Sequence, residues 1–413
     1  TVHAPMASGN CKLLLDGKAS NQLGLISIRN GVGSKNLSVQ SVSQGLHKLV
    51  VDCGAKGKAK SPGFEVPAKA KPSPAASTEA EHITTSGDIR SNETWSGIIT
   101  VTGDITIHPG VTVTVLPGTR VEFTAGHDDS GHGPDTNFAE PGDLPLVGSK
   151  LAMLAIDGRL IAEGTPEQPI IFTSTNHMAP QRNDWHGLNV LPSGSVKLRY
   201  TIVEWCYLAL GFVEGSQVDA RNYVLRHMEA TGLLPEQPAA PYKTQLVVQD
   251  ALLEDAGHEG IESEPSENVI VRHSIFMNNQ NGIHLSSDSV KSVEDSLFLG
   301  NHFGILFADS ATTTVRHNVF TGGVTALWLH DPLGSSTITE NNFEPLKDSV
   351  SSRYHRAGDT DVTNNWWGTT DVTLIGQLFS GFSQSGVVQF LPIANRPFDL
   401  NAPTLHAFAW AGY

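Results

Sequence analysis

Ser274-Ile275-Phe276, Ser296-Leu297-Phe298, Asn318-Val319-Phe320, Asn341-Asn342-Phe343 and Asn365-Trp366-Trp367 are successive copies of one pattern within residues 269–368. The closing aromatic recurs at spacings of 22, 22, 23 and 24 residues. Two further columns keep the same step: Val271, Val293, Val315, Ile338, Val362, and Gly260-Ile261, Gly282-Ile283, Gly304-Ile305. A fixed period of this length marks a solenoid. Each period holds short β-branched runs broken by Gly, Asn and Asp, with no apolar stripe at helical spacing. One coil of a parallel β-helix per repeat satisfies both observations.

The register runs backwards through Leu252-Leu253, Val224-Leu225 and Ile202-Val203. The single long step contains Leu234-Pro235-Glu236 and a Pro/Ala run to Pro241, which reads as a loop inserted into a coil. Every coil buries its apolar column on the coils above and below, so the core grows along one axis.

Four stretches carry a resemblance to a known family. They are Gly103–Phe123, Gly164–Ser174, Asp184-Trp185-His186-Gly187 and Asn364-Asn365-Trp366-Trp367-Gly368. Together they make residues from about Trp95 to Arg396 similar to the right-handed parallel β-helix repeat proteins of the pectate-lyase-like superfold. The resemblance implies an all-β, right-handed parallel β-helix. It leaves function open, because that superfold hosts lyases, hydrolases, adhesins and inert surface proteins.

The chain has 413 residues, 39% of them apolar, and a formal net charge of −15. That charge argues against nucleic acid and anionic membranes as partners. No apolar run reaches the ~18 residues that a membrane span needs. The chain opens on Thr1 rather than Met, as a processed secreted or cell-surface protein would. Residues 1–53 do not follow the coil register. Leu13–Leu15, Leu23–Ile28, Leu37–Val42 and Leu46–Val51 read as four short strands of a small β head, bracketed by Cys11 and Cys53. A Cys11–Cys53 disulfide is expected there, closing a loop worth about 3–4 kcal/mol. Cys206 lies in a core-like run and is expected to be a buried free thiol. Residues 54–87, rich in Lys, Ala, Pro and Ser, read as a linker. The β-helix then occupies 88–396, and 397–413 form a C-terminal tail expected to be a strand.

Stacked coils set aligned residues ~4.8 Å apart, so columns are physical neighbours. One column runs Arg199, Arg221, Gln249, Arg272, Glu294, Arg316; the next runs Tyr200, Asn222, Asp250, His273, Asp295, His317, Glu340. Alternating signs suit an ion-pair ladder on a solvated face. Asn318, Asn341 and Asn365, preceded by Ser274 and Ser296, form an amide ladder ahead of the buried aromatic. Counting on from the Gly-Ile register aligns Glu262, His284, Leu306 and Trp328. Glu264, Ser286, Ala308 and His330 follow two residues along, with Asp309 and Asp331 beside them. A Trp flanked by acids and His on a long face suits a sugar chain, held by stacking and hydrogen bonds. Glu262, Glu264, His284, Trp328, His330, Asp309 and Asp331 are therefore the candidate glycan contacts.

His127, Asp128, Asp129, His132 and Asp135 fall within nine residues of one loop. Their carboxylates would favour calcium and their imidazoles a transition ion. The alternative is a polar surface loop. The apolar C-terminal stretch Thr404–Tyr413 must dock, either over its own rod or as a strand on a neighbour. The second route gives self-association into a head-to-tail filament through the head or the terminal strand. Taken together, the residues describe a secreted or cell-surface structural or adhesive β-helix protein with a glycan-contacting face and no assigned catalytic residues. The alternative is a polysaccharide lyase or glycoside hydrolase, which needs a carboxylate pair in a cleft.

Overall fold

A computed structural model describes residues 82–130, 151–236, 245–263, 268–286, 290–308, 312–330, 336–344, 348–352, 359–382 and 386–413, together with the N-terminal strands named below and Cys53. The chain divides into two compact units, Thr1–Glu79 and Ala80–Tyr413.

In the first unit, Gly9–Leu15 lies between Gln22–Ile28 and Leu49–Asp52, and Lys58–Lys60 extends the sheet, all antiparallel. Gly45–His47 pairs with Phe64–Val66 and Val2–His3 with Val32–Gly33. Residues 37–42, read as a strand from sequence, lie outside the described residues. The stretch read as linker carries strands: Lys58–Lys60 and Phe64–Val66 pair within this unit, and His82–Ile89, which belongs to the second unit, pairs there in parallel with Ile98–Ile107. Alternation of Ile83, Thr84 and Thr85 is enough for a strand once a partner edge exists.

The second unit is a parallel β-helix. A 24-stranded sheet winds through it, and a 5-stranded sheet forms a further face of the later coils. One coil illustrates the rest. Asn268–Arg272 pairs with Val290–Glu294, Ile275–Met277 with Leu297–Leu299, and Asn281–Leu285 with Phe303–Phe307, all parallel. Phe276, Phe298, Phe320, Phe343 and Trp367 stack face to face in the interior, with successive centroids 5.0, 4.6, 5.0 and 4.5 Å apart. The glycine of the Gly-Ile column makes room for this stack: a Cβ at Gly304 would lie 3.0 Å from Phe320 Cδ1 and 2.6 Å from the Ala326 carbonyl oxygen.

Side chains satisfy the backbone at the bends. Asn318 Nδ2 donates to Val293 O at 2.8 Å and to Asn341 Oδ1 at 3.1 Å, and Asn341 repeats the arrangement with Val315 O and Asn365 Oδ1. Ser274 and Ser296 continue the ladder with hydroxyls. The aligned column Tyr200, Asn222, Asp250, His273, Asp295, His317, Glu340, together with Asn364, has positive φ throughout, from 45° to 58°. Its polar character thus has a second cause beyond charge pairing. The chain turns a left-handed corner there, which Asn, Asp and His tolerate better than β-branched residues do. The cross-coil polar contacts are present too: His273 Nδ1 is 2.7 Å from Asp250, His317 Nε2 is 3.1 Å from Glu340, and Arg316 forms an ion pair with Glu294 at 3.1 Å.

The tail corrects its expectation. Leu405–Ala411 is a 3-10 helix rather than a strand, kinked at Phe408. Phe408 and Ala411 are buried on the outward-facing column Ile202, Val224, Leu252, Ile275. Residues three apart share one side of a 3-10 turn, so Leu405, Phe408 and Ala411 meet that column together. A strand would have pointed them alternately away. The end is fastened by polar contacts: Tyr413 Oη donates to Glu254, and Arg226 Nη1 donates to Ala411 O at 3.2 Å and to Tyr413 Oη at 3.4 Å.

Phe298 touches aromatic rings above and below, so Phe298→Ala should destabilise the rod by about 3–5 kcal/mol, read from urea denaturation. Cys206 is a free, fully buried cysteine whose thiol is pushed well above its ordinary pKa by that burial. The Cys11 side chain lies outside the described residues, so its bridge to Cys53 stands as an expectation. Alkylation without reductant should label nothing in the folded protein and one thiol after unfolding. Three labels after unfolding would refute the bridge.

Candidate functional site

The loop with the metal-like composition resolves into local structure. Asp128 Oδ1 accepts from Asp104 N, Ser130 N and Ser130 Oγ at 3.1, 2.8 and 2.6 Å. That carboxylate ties the loop to the coil beneath it. His127 Nε2 lies 2.6 Å from Asp129 Oδ1, both well exposed, and this hydrogen bond holds the Asp129 carboxyl below its usual value. His132 and Asp135 lie outside the described residues. Among the described residues no group of three or more His, Cys, Asp or Glu side chains is placed to hold a metal ion. The calcium expectation therefore has no support there.

The face beside the Gly-Ile register is assembled as its columns imply. Glu262 pairs in register with His284, His284 with Leu306, Leu306 with Trp328 and Trp328 with Ser351. A neighbouring column was missed from sequence: Glu259, Asn281, Phe303, Thr325, Asp348. It was within reach, since Glu259, Asn281 and Phe303 each stand one residue before a glycine of the register already found.

The two columns give the face two ends. At one, Glu259 Oε1 and Glu262 Oε1 each lie 3.8 Å from His284 Nδ1, and Asn281 Nδ2 donates to Glu259 at 2.8 Å. At the other, Trp328 stacks on Phe303 at 3.8 Å and 11°, with His330 edge-on to Trp328 at 4.8 Å and His302 edge-on to Phe303 at 4.4 Å. Trp328, His330 and Phe303 are half-buried and His302 is exposed. Thus Glu262, His284, Trp328 and His330 share one face, whereas Glu264, Asp309 and Asp331 lie outside the described residues.

A second polar group was also missed. Trp205, His227, Asp255 and Asn278 form another left-handed corner, at φ of 61°, 60°, 56° and 57°, which Gly300 and Gly322 continue at 71°. His227 stacks on Trp205 at 4.0 Å, and its Nδ1 is 2.8 Å from Asp255, which also receives Arg182. Burial pushes the Asp255 carboxyl up, but His227 and Arg182 outweigh it and the net shift is downward. Arg182, Asn278, Gln280 and His302 line a recess of about 320 Å³ at this corner. Nothing in the sequence brought Arg182 here, because it precedes the regular coils.

With this geometry the molecule is a parallel β-helix repeat protein. Residues 213–379, less than half of the chain, match the family model described as "Periplasmic copper-binding protein (NosD)". No curated protein and no solved structure shows a significant match. Among the described residues, the side chains do not fit a resident copper ion. The matched stretch contains no cysteine. Met228 and Met277 sit in apolar clusters, and the described histidines are dispersed along the rod against acids or aromatic rings.

A depressed carboxyl contributes stability above the unfolded-state pKa, and that contribution is lost as pH falls through the folded value. Asp255→Asn, which keeps a residue suited to the left-handed corner, should lower stability at neutral pH by about 1–2 kcal/mol. The difference from wild type should close as the solution is acidified to well below the ordinary carboxylate pKa. Urea midpoints at the two pH values check this.

Proposed function

We propose that this chain is an extracytoplasmic β-helix protein, periplasmic or on the cell surface, which holds a glycan chain along the Glu262–Trp328 face without transforming it. The match to a family described as periplasmic supports the location; no helix among the described residues is long and apolar enough to cross a membrane. The stacked Phe303–Trp328 pair carries the function. Large half-buried rings on an outer face, flanked by His302, His330 and an acid–imidazole group, match the needs of a sugar: an apolar plane with polar groups around it. Copper, named in the family description, is not carried over, because the donor set does not fit it.

Two other readings have support of their own. The Glu259 and Glu262 carboxylates both reach His284, so the measured oxygens are no further apart than twice 3.8 Å, a bound that admits the ~5–5.5 Å pair of a retaining glycosidase. Self-association is favoured by exposed apolar residues close together in sequence after the last full coil, Val372, Leu374, Val387 and Leu391. With the tail docked on its own rod, a filament would form through this end or the head rather than the terminal strand.

A glycan array followed by titration calorimetry tests the main proposal. Trp328→Ala should weaken binding of the best ligand by about 1–3 kcal/mol, the scale of one lost aromatic contact. Reducing ends should not accumulate. Unchanged binding in the variant removes the aromatic face from the account, and release of reducing ends replaces binding with hydrolysis.

A further inference from the structure

The two sides of the Trp328 platform differ in how their polar groups are used. On the Glu259 side these groups answer one another: Glu259 receives Asn281 Nδ2 at 2.8 Å and Thr231 Oγ1 at 3.3 Å, and His284 lies against both Glu259 and Glu262. Towards the last coil the columns run on, Trp328 to Ser351 to Ser380 in one and Thr325 to Asp348 in the other. There the polar groups are left over. Asp348 is half-buried, and among the described residues its carboxylate has no hydrogen-bond or ion-pair partner. Its backbone N–H is committed to Val324 O at 2.9 Å. Ser380 Oγ donates to Ser351 Oγ at 2.9 Å, which leaves the Ser351 hydroxyl hydrogen without an acceptor among the described residues.

A flat apolar platform, a carboxylate acceptor and a hydroxyl donor thus follow each other in successive coils. Consecutive coils lie about 4.8 Å apart, close to the length of one pyranose ring in an extended chain. A ring stacked on Trp328 sets its neighbour over Asp348 and Ser351, and the next one over Ser380. An ionised carboxylate accepts only, at several lone-pair positions, so it can take two adjacent ring hydroxyls at once. Such charge-assisted O–H···O⁻ bonds are stronger than neutral ones. An acidic sugar would instead set like charge against Asp348, in a chain of net charge −15. Linkage matters as well: a coiled glucan leaves the rod axis within a few rings, whereas a straight β-linked ribbon stays on it.

We propose that the ligand is a neutral, extended β-linked polysaccharide that lies along the rod axis, one ring per coil, from Trp328 towards the last coil, its hydroxyls recognised by Asp348 and Ser351. The proposal rests on the glycan-binding reading above and specifies its ligand and direction.

The test titrates the full chain calorimetrically with cello-oligosaccharides of two to six rings and with malto-oligosaccharides of the same lengths. Affinity in the cello series should rise to three rings and then level off. Maltotriose should bind at least about tenfold more weakly than cellotriose. Asp348→Ala should bind cellotriose about tenfold more weakly, the scale of one lost charge-assisted hydrogen bond. At saturation it should keep the wild-type change in tryptophan fluorescence, because the ring on Trp328 still stacks. Asp348→Asn, which keeps the shape of the side chain, serves if thermal melts show that the alanine variant does not fold. Equal binding of the two series overturns the extended-chain assignment. Unchanged cellotriose binding in the Asp348 variants overturns the direction. Either result leaves the glycan face standing if Trp328→Ala still weakens binding. If no oligosaccharide of either series binds, the assignment falls, and a blank array takes the glycan reading with it.

Discussion

Parallel backbone pairing between consecutive coils is the constraint on which this structure depends. Because the register is parallel, residue i always lies over its counterpart one coil later, about 4.8 Å away. Any property that one position needs is therefore demanded again at the next coil. An aromatic placed in the interior, such as Phe276, creates a flat surface that Phe298 fills best, and so on to Trp367. A bend that leaves a carbonyl unpaired at Val293 is answered by Asn318, whose own neighbour then needs Asn341. The repetition seen in the chain is this stacking written out in order.

The same constraint explains why polar residues crowd particular columns. From Tyr200 to Gly322 left-handed corners occur twice per coil, and each disfavours β-branched side chains on steric grounds. Asp, Asn and His occupy them and then pair with the coils on either side, as His273 does with Asp250 and His227 with Asp255. Charge alternation is thus a consequence of the corner geometry as much as a source of stability. Exposed pairs of this kind contribute little individually.

Departures from repetition are confined to one face. The columns Glu262–His284–Leu306–Trp328 and Glu259–Asn281–Phe303–Thr325 change chemical type from coil to coil, although the backbone beneath them does not change. A regular scaffold with an irregular face gives a surface graded from acidic to aromatic.

Much of the fold was legible from residues alone. Phe298 and Phe320 recur one period apart, and in a parallel stack a period is a contact, so interior stacks, amide ladders and the membership of the Glu262–Trp328 column followed directly. The Asn279–Asn301 ladder and the Glu259 column obeyed the same rule, the second of them one residue from the Gly-Ile column already recognised. Contacts with no period were decided only by the tertiary structure. Arg182 reaches Asp255 from before the regular coils, and Phe408 and Tyr413 reach Val224 and Glu254 from beyond them. The tail's spacing of bulky residues fits either a strand or a 3-10 turn. Only the apolar column Ile202–Ile275, facing outward where repetition predicts solvent, selects the turn. Sequence determined what lies above what along the axis, because backbone pairing transmits register. Lateral packing has no such register, and shape complementarity between distant segments had to settle it.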